Sequence, residues 1–509
     1  MTAEDDRARE IAANALRAIE HPVVAPQPIV ARRPPYIFER VNERTGAVTI
    51  GIDFLTYATF LKNHLSIQYF NKTIYIYDHG KHFYRQHTNE IETHIRNTVD
   101  DWGIGGKLAP MITEMMAHIK AMGCHADYPF NFSSDKIPVE NGIVKIDYNT
   151  GEISLLAHSP EFLFTYKLSV EYDPKMRPCN AIMLLKRMVE PEDIKTLVQI
   201  PAQSLLQMQM NHSFKKAYLL QGEPHAGKTS YLKLLYEIFG ADFRAGVPLQ
   251  QLCDDKFVGG ALEGKLLNIF DDLEDVALNE IAQFKNLTGD INHSIERKYE
   301  SRYSGRITAV HCFTCNYPPD VPAKVKRDAA FWARWEYLRF PFAYPINPNF
   351  YGEWYTKERI SAFFNLILNM MIHIRRCGLV SNSDVQEVMQ VWNVNADPMY
   401  EFIAQLLEPT GASLNNYHFS KTKFFHAYLQ WCNDSGIPEH KRKQTLPAFT
   451  VALQVHGIVP SQKKENKKIY ETYSTTQFVK RAGCRVDLHY ITTIDSQTTP
   501  VNSSERLNA

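Results

Sequence analysis

Nine consecutive residues carry the groups needed to hold a triphosphate. They are Gly222, Glu223, Pro224, His225, Ala226, Gly227, Lys228, Thr229 and Ser230. The first eight fit G-x-x-x-x-G-K-[ST] at every fixed position, and a random chain of this length does so with probability of about 0.02. In such a loop the glycines let backbone N–H groups close around phosphates, and the following helix adds its positive end. Lys228 then reaches the outer phosphates, and the Thr229 hydroxyl binds Mg²⁺. ATP and Mg²⁺ are the expected cofactors. The plain alternative is a glycine turn beside a surface lysine.

A metal held this way needs a carboxylate. The apolar run Leu266–Phe270 ends in Asp271 and Asp272. At the C-terminal end of a strand both would face the ligand crevice of an open α/β sheet. One would bind Mg²⁺, and its neighbour would orient the attacking water. The alternative is a solvated acidic turn, since the run reads DDLED. A further apolar run, Ile307–Cys315, ends at Asn316, placed to touch the terminal phosphate or the lytic water. It could also simply start the turn before Pro318. Arg334 lies among aromatic residues, so a stacked core arginine stands beside any catalytic reading.

These residues need strands and helices to bring them together. AYLLQ (Ala217–Gln221) reads as a buried strand and SYLKLLYEIFG as an amphipathic helix, so strand, loop and helix follow in the order the motif requires. From Lys216 to about Phe342 apolar strands alternate with helices, the pattern of a mostly parallel sheet. Lys228 is as far from Asp272 as Asp272 is from Asn316. Each gap suits a helix, a strand and their loops.

Composition bounds the rest. The chain has 509 residues, 44% hydrophobic and 22% charged, too long for one core and too apolar to be disordered throughout. Lys plus Arg equals Asp plus Glu at 56 each, so any nucleic-acid contact must come from local patches. The first twenty residues lack the apolar core of a secretory signal, and no apolar run reaches spanning length. The best candidate, Ala362–Ile374, carries Asn365, Asn369 and His373 as a polar stripe and reads as a packed helix. Eight dispersed cysteines suggest reduced thiols. Cys312 and Cys315 form one CxxC without a second half, so a buried strand pair is preferred to a zinc site. The expected location is intracellular, in the cytoplasm of a host cell, with no membrane partner.

The phosphate loop, the acidic strand end, Asn316 and Arg334, in this order and spacing, resemble the superfamily 3 helicases. More closely they resemble the phage, plasmid and poxvirus primase–helicase branch. The resemblance covers about residues 120–345 and extends more weakly beyond them. FKNLTGDINHSIERKYES is similar to a further signature of that branch, which leads into a DNA-contacting β-hairpin. The resemblance implies a ring-forming AAA+ ATPase, usually hexameric, moving along single-stranded DNA. It makes Asn316 the first sensor and Arg334 the match to the arginine finger that reaches a neighbouring subunit's ATP, with Arg327 as second choice. It assigns DNA contact to Lys298, flanked by Arg297 and Tyr299. Asp272 is the better match to the metal-binding carboxylate, with Asp271 left open. The longest members also carry a paired-aspartate primase strand. None occurs before residue 200, where Asp53, Asp78 and Asp147 stand alone and Asp100 and Asp101 share a helix pattern. A separate primase or polymerase is therefore an expected partner.

The expected fold class is α/β, an AAA+ P-loop motor core within a longer chain. Residues 1–35 read as a flexible segment and proline-rich linker, 36–155 as an α+β domain and 156–210 as a helical collar for oligomerisation. The motor core spans 211–345 and a helical lid 346–395. Residues 396–490 read as a winged helix, with helices after Ser420 and over Leu446–His456 and a basic hairpin before Ile469, and 491–509 as a disordered tail. Lys441, Arg442 and Lys443 precede the second helix, and Lys463, Lys464, Lys467 and Lys468 lie at the hairpin, so all seven are candidate DNA contacts. The whole implies an ATP-dependent helicase acting on single-stranded and forked DNA in virus or plasmid replication. The rivals are an ATP-dependent origin-binding initiator and a packaging or remodelling ATPase.

Overall fold

The computed structural model describes residues 33–480, except 71, 87–88, 124, 126–128, 132, 211, 275, 279, 298–301, 327, 382–383, 410–416, 436, 438, 466–467 and 476–477. Lys298, Tyr299, Arg327 and Lys467 thus lie outside the described residues, as do almost all of the expected N-terminal segment and the whole expected tail. The chain divides into two compact units. One holds the residues up to Asp78 with Arg85–Tyr128, and the other holds His79–Tyr84 with the residues from Pro129 on.

In the smaller unit β1 (Ile37–Val41) and β2 (Val48–Ile52) form an antiparallel hairpin. Its turn is closed by the Asn42 side chain, which accepts the N–H groups of Arg44 and Thr45 at 2.9 and 3.3 Å. Asp53 caps α1 (Phe54–His64) by accepting the Thr56 N–H at 2.8 Å, a capping role rather than a catalytic one. Strands β3 (Gln68–Phe70) and β4 (Thr73–Asp78) pair antiparallel. After β5 (Phe83–Gln86), whose first two residues are assigned to the larger unit, come α2 (Asn89–Asp101) and α3 (Leu108–Gly123). Helix-spaced residues fill the core, among them Tyr57 with Leu61, Ile91 with Ile95, and Met115 with Ile119.

The larger unit opens with a three-stranded antiparallel sheet of β6 (Lys136–Val139), β7 (Gly142–Ile146) and β8 (Ile153–Leu156). The Asp147 carboxylate accepts the Asn149 and Thr150 N–H groups at the β7–β8 turn, and Gly151 there has φ +85°, a conformation glycine adopts freely. Next come α4 (Cys179–Leu185), α5 (Ile194–Met210), β9 (Ala217–Gly222) and α6 (Lys228–Phe239). They are followed by β10 (Arg244–Ala245), β11 (Leu267–Phe270) and α7 (Ala282–Gly289). A hairpin of β12 (Asn292–Ile295) and β13 (Tyr303–Arg306) precedes β14 (Val310–Cys315) and β15 (Trp335–Phe340).

Five of these strands form one sheet in the order β10-β11-β14-β9-β15, with every neighbouring pair parallel. A parallel sheet needs both faces covered, and the alternation along β9 shows how. Tyr218 and Leu220 enter one hydrophobic cluster with α5, α6 and α8 (Lys357–Cys377). Ala217 and Leu219 enter the other, with Phe284 of α7, Trp335, and Trp392 of α9 (Val385–Ala396). α8 contains the apolar stretch 362–374 as a packed helix. Asn365 there donates to the Asp173 and Met176 carbonyls at 2.8 and 2.9 Å. No described helix is long and apolar enough to cross a membrane. Cys312 and Cys315 are both buried and unbridged on β14. Burial pushes the Cys315 thiol up to about 12.

Within the span 156–210, expected to be an oligomerisation collar, α5 packs inside its own chain. Every residue from Thr196 to Gln209 is buried within its own chain. Its polar side chains serve the entry edge of the sheet. Gln203 donates to the Lys216 carbonyl at 3.2 Å, Ser204 to Leu266 at 2.6 Å and Gln207 to Thr308 at 3.0 Å. Those carbonyls lie just before β9, β11 and β14, so one helix donates to backbone acceptors where three strands begin, the Leu266 carbonyl also accepting the Val310 N–H at 3.1 Å.

The last described elements begin with α10 (Pro398–Leu406), β16 (Leu407–Pro409), β17 (Tyr417–Ser420), α11 (Lys421–Asp434) and α12 (Leu446–Val455). Then come β18 (Val459–Glu465), β19 (Lys468–Thr475) and β20 (Phe478–Lys480). β17, β19 and β18 form an antiparallel sheet, and β16 pairs with β20. Ser420 precedes α11, but its side chain makes no capping bond. Thr445 does cap α12, accepting the Ala448 N–H at 3.4 Å.

Candidate functional site

The loop Gly222–Thr229 leaves β9 and enters α6, so its residues gather where the strand ends and the helix begins. Backbone crowding fixes the glycines. A Cβ at Gly222 would lie 2.6 Å from the Phe340 carbonyl oxygen, closer than any side chain tolerates. Gly227 takes φ +93° immediately before α6, a left-handed turn that favours glycine. His225 also has positive φ, +66°, a cost of order 1 kcal/mol for a non-glycine residue.

Lys228 is 8% exposed and bends back over the loop. Its ammonium donates to the Gly222 carbonyl at 2.6 Å, the Glu223 carbonyl at 3.0 Å and Asn316 Oδ1 at 2.8 Å. Burial holds its pKa below the usual lysine value, opposed by nearby negative charge that includes Asp272 and Asp271. Asn316 follows β14, and its backbone carbonyl accepts from Gln221 Nε2 at 3.0 Å. The side chains of β9, β14 and the loop thus meet at the C-terminal edge of the sheet, the edge where open α/β sheets bind ligands.

The two aspartates part company. The Thr229 hydroxyl donates to Asp271 Oδ2 at 2.8 Å, and the Thr314 hydroxyl lies 2.5 Å from Asp271 Oδ1. Asp272 donates its backbone N–H to Thr314 Oγ1 at 2.8 Å and takes φ +57°. Its side chain is exposed while that of Asp271 is half-buried. The expectation that Asp272 is the metal carboxylate therefore meets a geometry that puts Asp271 against Thr229. The reason is the turn: a left-handed residue right after the strand end redirects the second carboxylate. A hydroxyl and a carboxylate in contact are hard oxygen donors of the kind Mg²⁺ takes, and Lys228 lies beside them to balance phosphate charge. The residues present thus fit a magnesium-bound triphosphate. Thr314 was missed in the sequence. Its one signal is position, two residues before Asn316 on a strand and so on the same face.

Arg334 has another setting. It precedes β15, whose Trp335 pairs with Ala217 and whose Phe340 pairs with Gly222. Arg334 therefore lies at the entry edge, the far end of the sheet from Lys228. Its Nε donates to Thr288 Oγ1 at 2.9 Å, Nη2 to the Lys285 carbonyl at 3.2 Å and Nη1 to the Ala330 carbonyl. Partial burial lowers its pKa. Within its own chain it joins the last turn of α7 to the start of β15, where a cation suits the helix end.

The DNA candidates also divide. Arg297 follows β12 and its guanidinium bonds Glu263 Oε2 at 2.7 Å. Residues 296–302 link the two strands of the β12–β13 hairpin. Lys441 is not presented to solvent. Its ammonium is buried and lies 3.9 Å from the centre of the Tyr317 ring. Arg442 donates to the Ile437 carbonyl, Asn433 Oδ1 and the Cys432 carbonyl, closing the end of α11. Both correct the expectation of phosphate contacts, because each cation is engaged inside the chain. Lys443 is half-buried, and its N–H donates to the Tyr428 hydroxyl at 3.0 Å. Lys463, Lys464 and Lys468 are exposed on the β18–β19 hairpin.

Two protein families match parts of the chain. Residues 58–190 match the family described as D5 N terminal like. Residues 220–334 match a family of unknown function, DUF5906, over a span that runs from the phosphate loop to Arg334. The D5-like match supports a relationship to the primase–helicase proteins of phages and viruses. No curated protein matches the chain. Among solved structures, the A-form apo structure of the NrS-1 C-terminal region is 11% identical with a TM-score of 0.40, covering 82% of this chain and 97% of that one. A second apo structure of the same region is 12% identical with a TM-score of 0.38, covering 84% and 99%.

Proposed function

We propose that the chain is an ATP-driven motor that unwinds DNA in the replication of a virus or plasmid. It works as a ring of identical AAA+ subunits, of the superfamily 3 helicase type, on single-stranded and forked DNA. The observation that carries this reading is the meeting of Lys228 with Asn316 and of Thr229 with Asp271 at one edge of a parallel sheet. The order of motifs in the sequence supports it further.

In this mechanism ATP displaces the Lys228 ammonium from the Gly222 and Glu223 carbonyls, and the ammonium turns to the phosphates. Thr229 and Asp271 would hold Mg²⁺, which when bound would neutralise charge on the phosphate oxygens. Asp272, exposed and next in the chain, orients the attacking water. Asn316, already within reach of Lys228, touches the terminal phosphate and senses its loss. The β12–β13 hairpin carries that change to DNA in the channel of the ring. Arg334 reaches a neighbouring subunit's ATP only if it leaves its own α7, so a trans role requires a rearrangement at that joint.

The test is strand displacement on forked duplexes with 3′ or 5′ tails in the presence of ATP and Mg²⁺. Unwinding by the parent and none by Lys228→Ala is the expected result. ATP hydrolysis without displacement on any fork would remove the helicase reading.

A second reading, an origin-binding initiator, is favoured by one observation. Two helices followed by a hairpin with Lys463, Lys464 and Lys468 exposed suit a winged helix on duplex DNA. Neutralising these three lysines is then expected to weaken duplex binding and lower the log–log salt slope by about 0.9 per lost phosphate contact. Unchanged affinity and slope would leave the region a protein-docking role.

A further inference from the structure

The segment that follows the candidate sensor is gripped by the C-terminal part of the chain. Tyr317 comes directly after Asn316, and Lys441 lies over its ring at 3.9 Å. Lys441 belongs to the short turn Glu439–Lys441 between α11 and α12. Two residues beyond Tyr317, the Pro319 carbonyl accepts from Trp392 Nε1 at 2.8 Å. Farther along, Lys326 lies 5.3 Å from the ring centre of Tyr400 on α10. Lys326 also pairs with Asp320 at 3.3 Å. Three elements beyond the parallel sheet therefore hold residues 317–326. Of these contacts, Lys441 on Tyr317 is adjacent in sequence to the residue that touches Lys228.

The chemistry makes this contact a sensitive one. A cation shut away from water over an aromatic face is attracted more strongly than an exposed one. Tyr317 and Asn316 share one peptide link, so a shift of the Tyr317 ring re-aims Asn316. The buried Cys315 thiol feels the charge of both Lys228 and Lys441, which places the two ammonium groups in one neighbourhood around the end of β14.

We propose that Lys441 is a positioning residue for nucleotide hydrolysis. Seated on Tyr317, it fixes the strand end that aims Asn316 and links the placement of the C-terminal helices to the state of the phosphate site. The inference rests on reading that site as an ATPase. Coupling of this kind is reciprocal in binding: whatever nucleotide does to the C-terminal region, loss of that region's grip does to the nucleotide site.

The experiment compares the full chain with Lys441→Met, Lys441→Arg and Tyr317→Leu. ATP hydrolysis is followed at varied ATP, and hydrogen exchange is followed across 417–475 with and without a non-hydrolysable ATP analogue and Mg²⁺. Asn316 acts on the terminal phosphate late in the reaction, so Lys441→Met and Tyr317→Leu are expected to lower kcat about tenfold with KM changed less than about twofold. The change in exchange that nucleotide causes across 417–475 is expected to disappear in both. Lys441→Arg keeps a cation over the ring and is expected to restore both signals. Parent-like kcat and exchange in Lys441→Met would overturn the proposal, as would a kcat loss that Lys441→Arg fails to restore. If the parent itself does not hydrolyse ATP, or Lys228→Ala hydrolyses it equally well, the ATPase reading fails instead. These outcomes separate the two.

Discussion

The same strands do different work at their two ends. At the C-terminal edge, the ends of β9, β11 and β14 bring side chains together in two contacts, Lys228 with Asn316 and Thr229 with Asp271. At the entry edge, the residues just before these strands are sealed by Gln203, Ser204 and Gln207 of α5. Arg334 ties α7 to β15 at that same edge. At one end polar side chains from the loop and the strand ends meet one another, and at the other polar side chains meet backbone carbonyls. A parallel sheet has this asymmetry built in, because its strand ends all point the same way.

The largest effect is expected at the open end. Lys228→Ala removes a charge-assisted phosphate contact, and turnover is expected to fall by at least about 10³-fold, a loss of the order seen when a transition-state charge contact is removed. A steady-state ATPase assay reads it, and turnover near the parent level would break the comparison outright.

The two aspartates sharpen it. If Asp271 holds the metal against Thr229, Asp271→Asn is expected to raise the Mg²⁺ concentration needed for nucleotide binding by roughly tenfold or more. Asp272→Asn is expected to leave that concentration near the parent value while hydrolysis is lost. The Mg²⁺ dependence of fluorescent-nucleotide binding distinguishes them, and the reverse pattern would return the metal to Asp272.

Arg334 tests the closed end. Removing a hydrogen-bonded, partly buried guanidinium leaves the Thr288 hydroxyl and two carbonyls without their donor, so Arg334→Met is expected to cost about 2–3 kcal/mol by denaturant unfolding. A variant that keeps its stability but loses ATPase, and regains activity when mixed with Lys228→Ala subunits, would make this arginine a trans finger instead.

The contrast also explains what the sequence disclosed. The loop was legible because its chemistry demands fixed types at fixed spacing, and its flanking strand and helix patterns agreed with it. The alternation of strands and helices gave the parallel sheet. The choice between Asp271 and Asp272 was not legible, since it depends on the left-handed turn at Asp272. Nor was the role of α5. Polar residues at helical spacing look alike in sequence whether they meet water or backbone carbonyls. Charge runs misled for a related reason. Lys441 and Arg442 count toward a basic patch, yet a ring and a helix end occupy them.

A smaller effect is expected from the α5 row. Gln207 donates to the Thr308 carbonyl, and its Oε1 accepts the Phe214 N–H at 3.3 Å. Gln207→Leu removes the side-chain partner of the buried Thr308 carbonyl and of the half-buried Phe214 N–H, at about 1–3 kcal/mol, with ATPase per folded molecule unchanged. Loss of turnover without loss of stability would show that the two edges are less separate than the hydrogen bonds suggest.

The smallest effect near neutral pH is carried by His311, on β14. It is 1% exposed between the rings of Phe284 and Phe313, and neither ring nitrogen has a hydrogen-bond partner among the described residues. Burial, with a minor contribution from His293, pushes its pKa down to about 4 from 6.5. The folded chain therefore keeps His311 neutral while the unfolded chain takes up a proton. Stability is complete above pH 6.5 and is lost progressively as pH falls from 6.5 toward 4. At pH 6 the loss is under about 1 kcal/mol, and by pH 4 it reaches about 3 kcal/mol, because each pH step between the two values contributes at most roughly 1.4 kcal/mol. His311→Phe keeps an aromatic ring in the same cluster and removes the titrating group. Urea unfolding of parent and variant at several pH values between 7 and 4.5 is expected to show curves that diverge as pH falls, with the variant retaining stability. Parallel curves would mean that the acid sensitivity of the sheet arises elsewhere and that His311 is no more than a packing residue on β14.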